Sequence, residues 1–304
     1  MMEFRLNTVT YGLSCAPFLA IRTLRQLADD EANQWPLGAD ALRQDVYMDD
    51  ILTDAPTVAE AKEMQQQLTS ICRAGGFPLK KWSANTSALL ADLPAEDLLQ
   101  REPWWWQPGE SHSTLGLRWH PHEDSFAFST PPLQLLTVTK RAVLSLTARL
   151  FDPMGWLAPT TVRAKIMIQA IWLLGVDWDT PLPEGDVLRW QEFQSELPLL
   201  GTVRVPRGLT GGTTCRREIH GFADASEKAY AAVAYMRTET REGKIEVTLL
   251  AAKTKVAPLK QVTLPRLELC AAALLSRLVS HICRVLETAN SPLHLWSDST
   301  VALG

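Results

Sequence analysis

Five carboxylates stand at positions where chemistry could use them. Asp49 and Asp50 interrupt an otherwise apolar run, Gln44-Asp45-Val46-Tyr47-Met48-Asp49-Asp50-Ile51-Leu52. Val46, Tyr47, Ile51 and Leu52 favour a pleated strand, which puts the acidic pair at the tip of a tight hairpin. An Asp pair in a turn more often means simple solvation. Its chemical use would be phosphoryl transfer, in which Mg²⁺ takes carboxylate oxygen, retains water and clamps the attacking and leaving oxygens. A rigid turn is a suitable mount for such a pair.

Asp224, Glu268 and Asp298 form the second constellation. Residues 218–224 read as a strand ending in Phe222-Ala223-Asp224-Ala225-Ser226. Residues 229–235 and 245–253 read as two more strands of an antiparallel run. A long helix is predicted from about Pro265, with Leu275, Leu278, Val279, Ile282 and Leu286 on one stripe. Two turns back from Leu275 lies Glu268, so a charge faces the core, where it is costly unless compensated. Residues 293–298 read as a fourth strand with His294, Trp296 and Asp298 on one face. Asp224 and Asp298 thus end strands, where α/β sheets place their sites. Each carboxylate has a purely structural alternative: Asp224 as a turn cap, Glu268 paired with Arg266 or Lys260, Asp298 as a helix cap. All three on suitable elements, in the order Asp, Glu, Asp, favour a metal site.

The supporting elements follow from periodicity. A strand is expected over 6–10, then a helix opened by Pro17 with Phe18, Ile21, Leu24 and Ala28 on one face. Thr57-Val58-Ala59-Glu60 is a capping box, and Ala61, Met64, Leu68, Ile71 and Cys72 keep helical period until Gly75-Gly76. Residues 77–82 are expected as a strand carrying Lys80 and Lys81. Trp104-Trp105-Trp106 cannot all share one face of a strand; packing between domains is the favoured role, stacking on bases the other. Residues 114–119 and 125–129 alternate around His120-Pro121-His122 as a hairpin. Thr139 can cap a helix bearing Val143, Leu146 and Leu150 that Asp152-Pro153-Met154-Gly155 ends. A second helix is expected from Thr160 or Thr161, with Val162, Ile166, Ala170 and Leu173 inward. Pro181, Pro183, Pro198, Pro206 and Gly211-Gly212 read as a linker.

Tyr47-Met48-Asp49-Asp50 resembles the signature of reverse transcriptases, and residues 6–18 resemble their template-handling segment. Phe151-Asp152-Pro153-Met154-Gly155 and residues 165–172 resemble the thumb and connection of BEL/Pao-type LTR retrotransposon Pol polyproteins. The Asp, Glu, Asp order resembles ribonuclease H, since integrase-like relatives place the glutamate last. The resemblance implies a partial α+β reverse-transcriptase palm over 1–130, a helical thumb/connection over 131–200, and a truncated α/β ribonuclease H-like domain over 201–304. It implies RNA-directed DNA polymerase and hybrid ribonuclease chemistry, with Mg²⁺ held by Asp49, Asp50, Asp224, Glu268 and Asp298. RNA template, DNA primer and RNA–DNA hybrid would meet Tyr47, Met48, Lys80, Lys81, Lys140, Arg141, Arg163 and Lys165, beside the rest of the Pol polyprotein. The family has another metal-binding aspartate before Leu6, and a helix, a fifth strand and an aspartate after Gly304. Both centres are therefore expected to be incomplete, with polymerisation absent and ribonuclease activity weak or absent.

Composition bounds these readings. A chain of 304 residues with 46% hydrophobic content suggests about two domains with real cores. The net charge of −4 does not favour a phosphate-tracking protein, so any such role rests on local clusters, Lys80-Lys81, Lys140-Arg141, Arg163 with Lys165, Arg216-Arg217, and Lys253, Lys255 and Lys260, each of which is more often a solvated face. Five cysteines without CxxC spacing fit a reducing compartment and no zinc knuckle; Cys270 and Cys283 read as apolar packing residues. No run reaches membrane-spanning length and the start is not a signal peptide. The expected setting is intracellular: cytoplasm, virus-like particle or nucleus. Two alternatives stand: a Pao-type aspartic peptidase, for which Asp179-Thr180-Pro181 and Asp298-Ser299-Thr300 are poor substitutes for Asp-Thr/Ser-Gly, and a non-catalytic nucleic-acid-binding or inert remnant.

Overall fold

A computed structural model describes residues 8–9, 12–99, 109–114, 116–129, 137–209, 214–288 and 290–303. Most of the strand expected over 6–10, all of Trp104-Trp105-Trp106 and the Gly211-Gly212 pair lie outside the described residues. Contacts divide the chain into two compact units, Met1–Glu110 and Ser111–Gly304.

In the first unit, helix α1 (Ala16–Glu31) starts with Pro17 in its first turn. Of its expected inward face Ala28 is buried, Ile21 and Leu24 are half-buried, and Phe18 is exposed. Helix α2 (Pro36–Gln44) is not foreseen by periodicity; Pro36 opens it, and Gln67 Oε1 accepts from the Leu37 and Gly38 amides at 2.8 and 3.3 Å. It runs straight into the hairpin of β1 (Val46–Tyr47) and β2 (Asp50–Ile51). Helix α3 (Val58–Ala74) is capped by Thr57, whose Oγ1 accepts from the Glu60 amide at 3.2 Å. Its Leu68, Ile71 and Cys72 pack with Ala28, Ala39, Ala41 and Leu42 as the core. Burial there pushes the Cys72 thiol up to about 11. The strand expected over 77–82 is not formed: one bridge, Trp82 to Leu98, is all the pairing among the described residues, because Leu98 follows a single 3₁₀ turn and offers no longer partner.

The second unit has two four-stranded sheets. In the smaller, β3 (His112–Thr114), β4 (Leu117–His120), β5 (Ser125–Ala127) and β6 (Arg204–Pro206) pair antiparallel in that order. The hairpin expected around Pro121 is its centre. Among the described residues three α-helices and a 3₁₀ helix span the gap between β5 and β6. Helix α4 (Lys140–Ala148) is capped by Thr139 Oγ1, which accepts from the Ala142 amide. Helix α5 (Ala158–Leu173) begins two residues before Thr160. Its buried line runs through Ala164 and Ile171, whereas Ala170 and Leu173 are exposed. The expected stripe missed because α5 is apolar on every side, so its periodicity selects no face. Helix α6 (Glu184–Glu196) replaces the expected linker: Pro183 precedes its first turn, and Trp190 and Phe193 are fully buried against Val143, Ala164 and Ile171. Pro183 and Pro198 mark helix starts, whereas Pro206 lies in β6.

In the larger sheet the order is β10-β7-β8-β9, with β7 (Thr214–Ala225), β8 (Ala229–Thr240) and β9 (Ile245–Val256) antiparallel and β10 (Leu293–Trp296) parallel to β7. Helix α7 (Leu264–Val285) crosses one face, burying Leu267, Ala271, Leu274, Leu275, Leu278, Val279 and Ile282. Gly221 permits that approach, since a Cβ there would sit 2.7 Å from Leu275 Cδ1. Cys270 is exposed on α7 and Cys283 half-buried, so only the latter keeps the expected packing role. A short helix α8 (Thr300–Leu303) follows β10.

The free edge of β9 is covered. At the β8–β9 irregularity Leu250 is left unpaired across the ladder, and its carbonyl accepts from Trp156 Nε1 at 3.0 Å. The Ala252 amide donates to the Met154 carbonyl at 2.9 Å, and Gln169 Nε2 to that of Ala257 at 2.7 Å. Loop 152–157 and α5 thus satisfy groups that an open edge would expose. Gly155 is essential to this seal: it has φ +75°, and a Cβ would lie 1.8 Å from the Ala252 carbonyl oxygen.

Gly155→Ala is therefore expected to destabilise the second unit by about 3 kcal/mol, adding left-handed strain to backbone displacement. Urea unfolding of the full chain checks this, with Gly185→Ala, which meets nothing within 4 Å, expected to be near neutral.

Candidate metal centre

The parallel pairing of β10 with β7 sets the site. Its register places His294 beside His220 and Trp296 beside Phe222. The imidazoles stack at 4.8 Å, and the Phe222 and Trp296 rings at 6.3 Å with 13° between planes. Two residues further along each chain come Asp224 and Asp298, on the same side by strand alternation. Glu268 reaches them from the second turn of α7. Ligand oxygens of Asp224, Glu268 and Asp298 all lie within 4.8 Å of one another. Phe222, Val233 and Trp296 wall the adjoining cavity of about 360 Å³, which opens onto Asp224 and Asp298.

The electrostatics are those of an uncompensated cluster. Asp224 Oδ1 accepts from the Ala225 amide at 2.7 Å. Glu268 Oε2 is buried without a hydrogen-bond partner, and among the described residues Glu268 makes no ion pair with Arg266 or Lys260. Desolvation raises its carboxyl pKa first, and the Asp224 and Asp298 charges raise it further. An all-oxygen donor set with an orphaned buried carboxylate oxygen fits a hard divalent cation such as Mg²⁺, which would supply the missing partner.

A few residues along the same strands the balance is opposite. Glu218, its side chain 8% exposed, pairs with Arg216 at 2.7 Å and Arg237 at 3.4 Å, and lies 3.3 Å from His220 Nε2. His220 first, then the arginines, hold its carboxyl below the usual range. Sequence reasoning left this hub out; residues 218, 220, 222 and 224 carry its signal, an alternation of polar and aromatic residues that β10 repeats at 294, 296 and 298.

The first acidic pair is arranged differently. The hairpin turns through Met48, at φ +58°, and Asp49, while Asp50 begins the return strand opposite Tyr47. All four side chains are exposed. Among the described residues no third carboxylate, His or Cys joins Asp49 and Asp50 in a ligand group.

The proposed phosphate contacts fall into distinct environments. Lys80 pairs with Asp97, and Lys81 is exposed at φ +58°. Lys140 is buried, donating to the Val176 carbonyl at 2.8 Å and lying 5.0 Å over Trp172. Arg141 holds Asp179 through two bonds of 2.7 and 2.9 Å, which keeps the Asp179 carboxyl below its ordinary range. That aspartate, half of the peptidase alternative, is thereby tied up. Arg163 pairs with Glu196 at 2.7 Å. Of the four cations on α4 and α5, Lys165 alone is both exposed and outside any ion pair among the described residues, donating instead to Thr254 Oγ1 at 3.3 Å.

The raised Glu268 pKa has a signed consequence. In metal-free buffer the folded state binds the extra proton between the ordinary glutamate value and the raised one, so stability falls as pH rises through that window. Thermal unfolding of Glu268→Gln is expected to lose this slope and to melt higher than wild type at neutral pH. Mg²⁺ is expected to stabilise the wild type and not the variant.

The family description "Pao retrotransposon-like RNaseH-like domain" matches residues 139–299. A foamy viral protease-reverse transcriptase solved in complex with double-stranded DNA, in a form designated dRH, is similar over 95% of this chain and 43% of its own, at 14% identity and TM-score 0.50. A second structure, the foamy viral protease-reverse transcriptase with dsDNA, matches over 96% of this chain and 52% of its own, at 14% identity and TM-score 0.41. The chain thus spans about half or less of the length of either. No curated protein matches. Among the described residues no helix is long and apolar enough to cross a membrane. With just over half of its residues under that one description, the chain belongs to the family of Pao retrotransposon-like RNaseH-like domains.

Proposed function

We propose that this chain is a segment of a retrotransposon Pol polyprotein whose second unit carries hybrid ribonuclease chemistry. The observation that carries the reading is the meeting of Asp224, Glu268 and Asp298, with one Glu268 oxygen buried and unpartnered. The three carboxylates would hold Mg²⁺, which when bound lowers the pKa of water and neutralises charge on a phosphate. Hydrolysis adds water across the P–O3′ bond; its oxygen joins phosphorus, and O3′ leaves with a proton. Asp224 and Asp298 face the open cavity and bind, while Glu268, fixed by α7, sets the spacing between them. Phe222 and Trp296 wall one side with apolar surface, which limits water there.

The first unit reads as the end of a reverse-transcriptase palm, with Asp49 and Asp50 as two of its metal ligands and Tyr47 and Met48 beside them. On the same reading α4, α5 and α6 are thumb and connection. The DNA named with the foamy viral structures supports nucleic acid as the partner class.

The test is release of product from an end-labelled RNA strand annealed to DNA, by the full chain in Mg²⁺. Asp224→Asn is expected to lower the rate by more than about 100-fold, as loss of a metal-holding group does, and Asp49→Asn to leave it unchanged. Cleavage that persists in chelator or in Asp224→Asn, or no cleavage in either Mg²⁺ or Mn²⁺, overturns the ribonuclease assignment.

A further inference from the structure

The hub around Glu218 contains two imidazoles that its ion pairs do not account for. Glu218, His220 and His294 each offer a ligand atom, and the three atoms lie within 4.8 Å of one another. They stand on the face of the sheet away from α7, since Ile219 and Ala223, at the alternate positions of β7, pack into the core with that helix. The rings of His220 and His294 are 4.8 Å apart with 24° between planes, which is the spacing of neighbouring strands, so the register alone brings them face to face. The two oxygens of Glu218 are used unequally. Oε1 lies 2.7 Å from Arg216 Nη2. Oε2 is 3.3 Å from His220 Nε2 and 3.4 Å from Arg237 Nη1, and Arg237 is closer to Glu239, at 3.2 Å. Both Oε2 contacts are longer than the roughly 2.7–3.2 Å of a good N–H···O bond. Two donors on one tetrahedral ion, with bonds of about 2.0–2.2 Å, stand about 3.3–3.6 Å apart, and the Nε2–Oε2 pair already has that separation. Among the described residues His294 makes no hydrogen bond through either ring nitrogen, so both are open to a ligand.

We propose that Glu218, His220 and His294 form a second metal site, for a divalent transition-metal ion of the Zn²⁺ class, separate from the cluster of Asp224, Glu268 and Asp298. The ion takes Glu218 Oε2 and one nitrogen from each imidazole, and water fills the fourth position on the side where His294 is exposed. Glu218 with Arg216, and Arg237 with Glu239, balance as two ion pairs, so binding rests on ligand chemistry and not on a negative field. Neutral imidazole suits Zn²⁺ and its neighbours in the transition series, whereas Mg²⁺ prefers an all-oxygen set. Arg216 is 59% exposed, so solvent screens its repulsion of the ion. Two ligands come from β7 and one from β10. The ion therefore clips these strands together in the register that brings Asp298 to Asp224. Its role is to hold that pairing. It takes no part in the ribonuclease reading, and either can fail without the other.

Thermal unfolding of the full chain tests this, after stripping with chelator and return to excess Mg²⁺, with Zn²⁺ added. At zinc about 100-fold above its dissociation constant the second unit is expected to melt about 5–10 °C higher. His220→Phe and His294→Phe keep an aromatic ring in the stack and lose the nitrogens. Each is expected to melt within about 2 °C of wild type in chelator and to lose the zinc shift, whereas Asp224→Asn keeps it. Since a Phe variant that melts low in chelator would confuse the comparison, the exposed His294 is also replaced by Ala, with the same expectation. A second readout needs no change in stability: Co²⁺ on the wild type is expected to give the visible absorption of a four-coordinate site, absent from both Phe variants. A zinc shift that survives in either Phe variant overturns the inference, as does one that disappears in Asp224→Asn, which would place the ion at the other carboxylates. A wild type whose melting and Co²⁺ spectrum both stay unmoved overturns it as well.

Discussion

The parallel register between β10 and β7 is the constraint on which the carboxylate cluster of the second unit depends. Parallel strands need a long crossover, and here α7 provides it. The helix that makes the parallel pairing possible is also the one that carries Glu268. One slip of β10 would send Asp298 to the opposite face and break both ring stacks together. The His220–His294 and Phe222–Trp296 pairs therefore work as register pins: each contributes modestly, about 0.5–1.5 kcal/mol for an aromatic pair, yet together they align the strand ends. Gly221 adds the complementary condition on the other face, because the helix can come close only where β7 lacks a side chain.

A second constraint acts at the far edge of the same sheet. β9 would present unpaired backbone groups along its length, and the segment from Met154 to Gln169 answers them with one carbonyl, one indole and one amide side chain. This joins the helices after β5 to the sheet without a mixed strand. Trp190 and Phe193 then fill the space beneath α4 and α5, which explains why a stretch with four prolines is ordered.

Charge is distributed unevenly within that sheet. At one end of β7 Glu218 is surrounded by Arg216, Arg237 and His220; at the other, Asp224 stands with Glu268 and Asp298 and, among the described residues, in no ion pair. The first arrangement is self-neutralising and structural. The second leaves Glu268 Oε2 buried without a hydrogen-bond partner among the described residues.

Much of this was legible in the chain itself. Alternation gave the strands of the larger sheet, the 3.6-residue period gave α7 with Glu268 on its inward side, and Thr57 and Thr139 marked helix starts that their hydroxyls indeed cap. Local chemistry determines such features: a cap, a turn and a one-sided stripe are written within a few residues. The hairpin was legible in the same way, but its turn falls on Met48-Asp49 and not on the expected Asp49-Asp50 pair, because Asp50 pairs with Tyr47. What failed was information that no short window holds. Helix α5 has apolar residues all round, so only its neighbours could choose the buried line; α6 was hidden by prolines that read as breaks until Trp190 and Phe193 found a core; residues 77–82 had strand propensity but no partner strand. The side-chain commitments were likewise tertiary: Lys140 buried against Trp172, Arg141 spent on Asp179, and Lys165 bonded to Thr254. Sequence determined which groups exist and on which element each is mounted, because propensity and period are local. Tertiary structure decided which of them meet, because register and packing are set by residues tens of positions away.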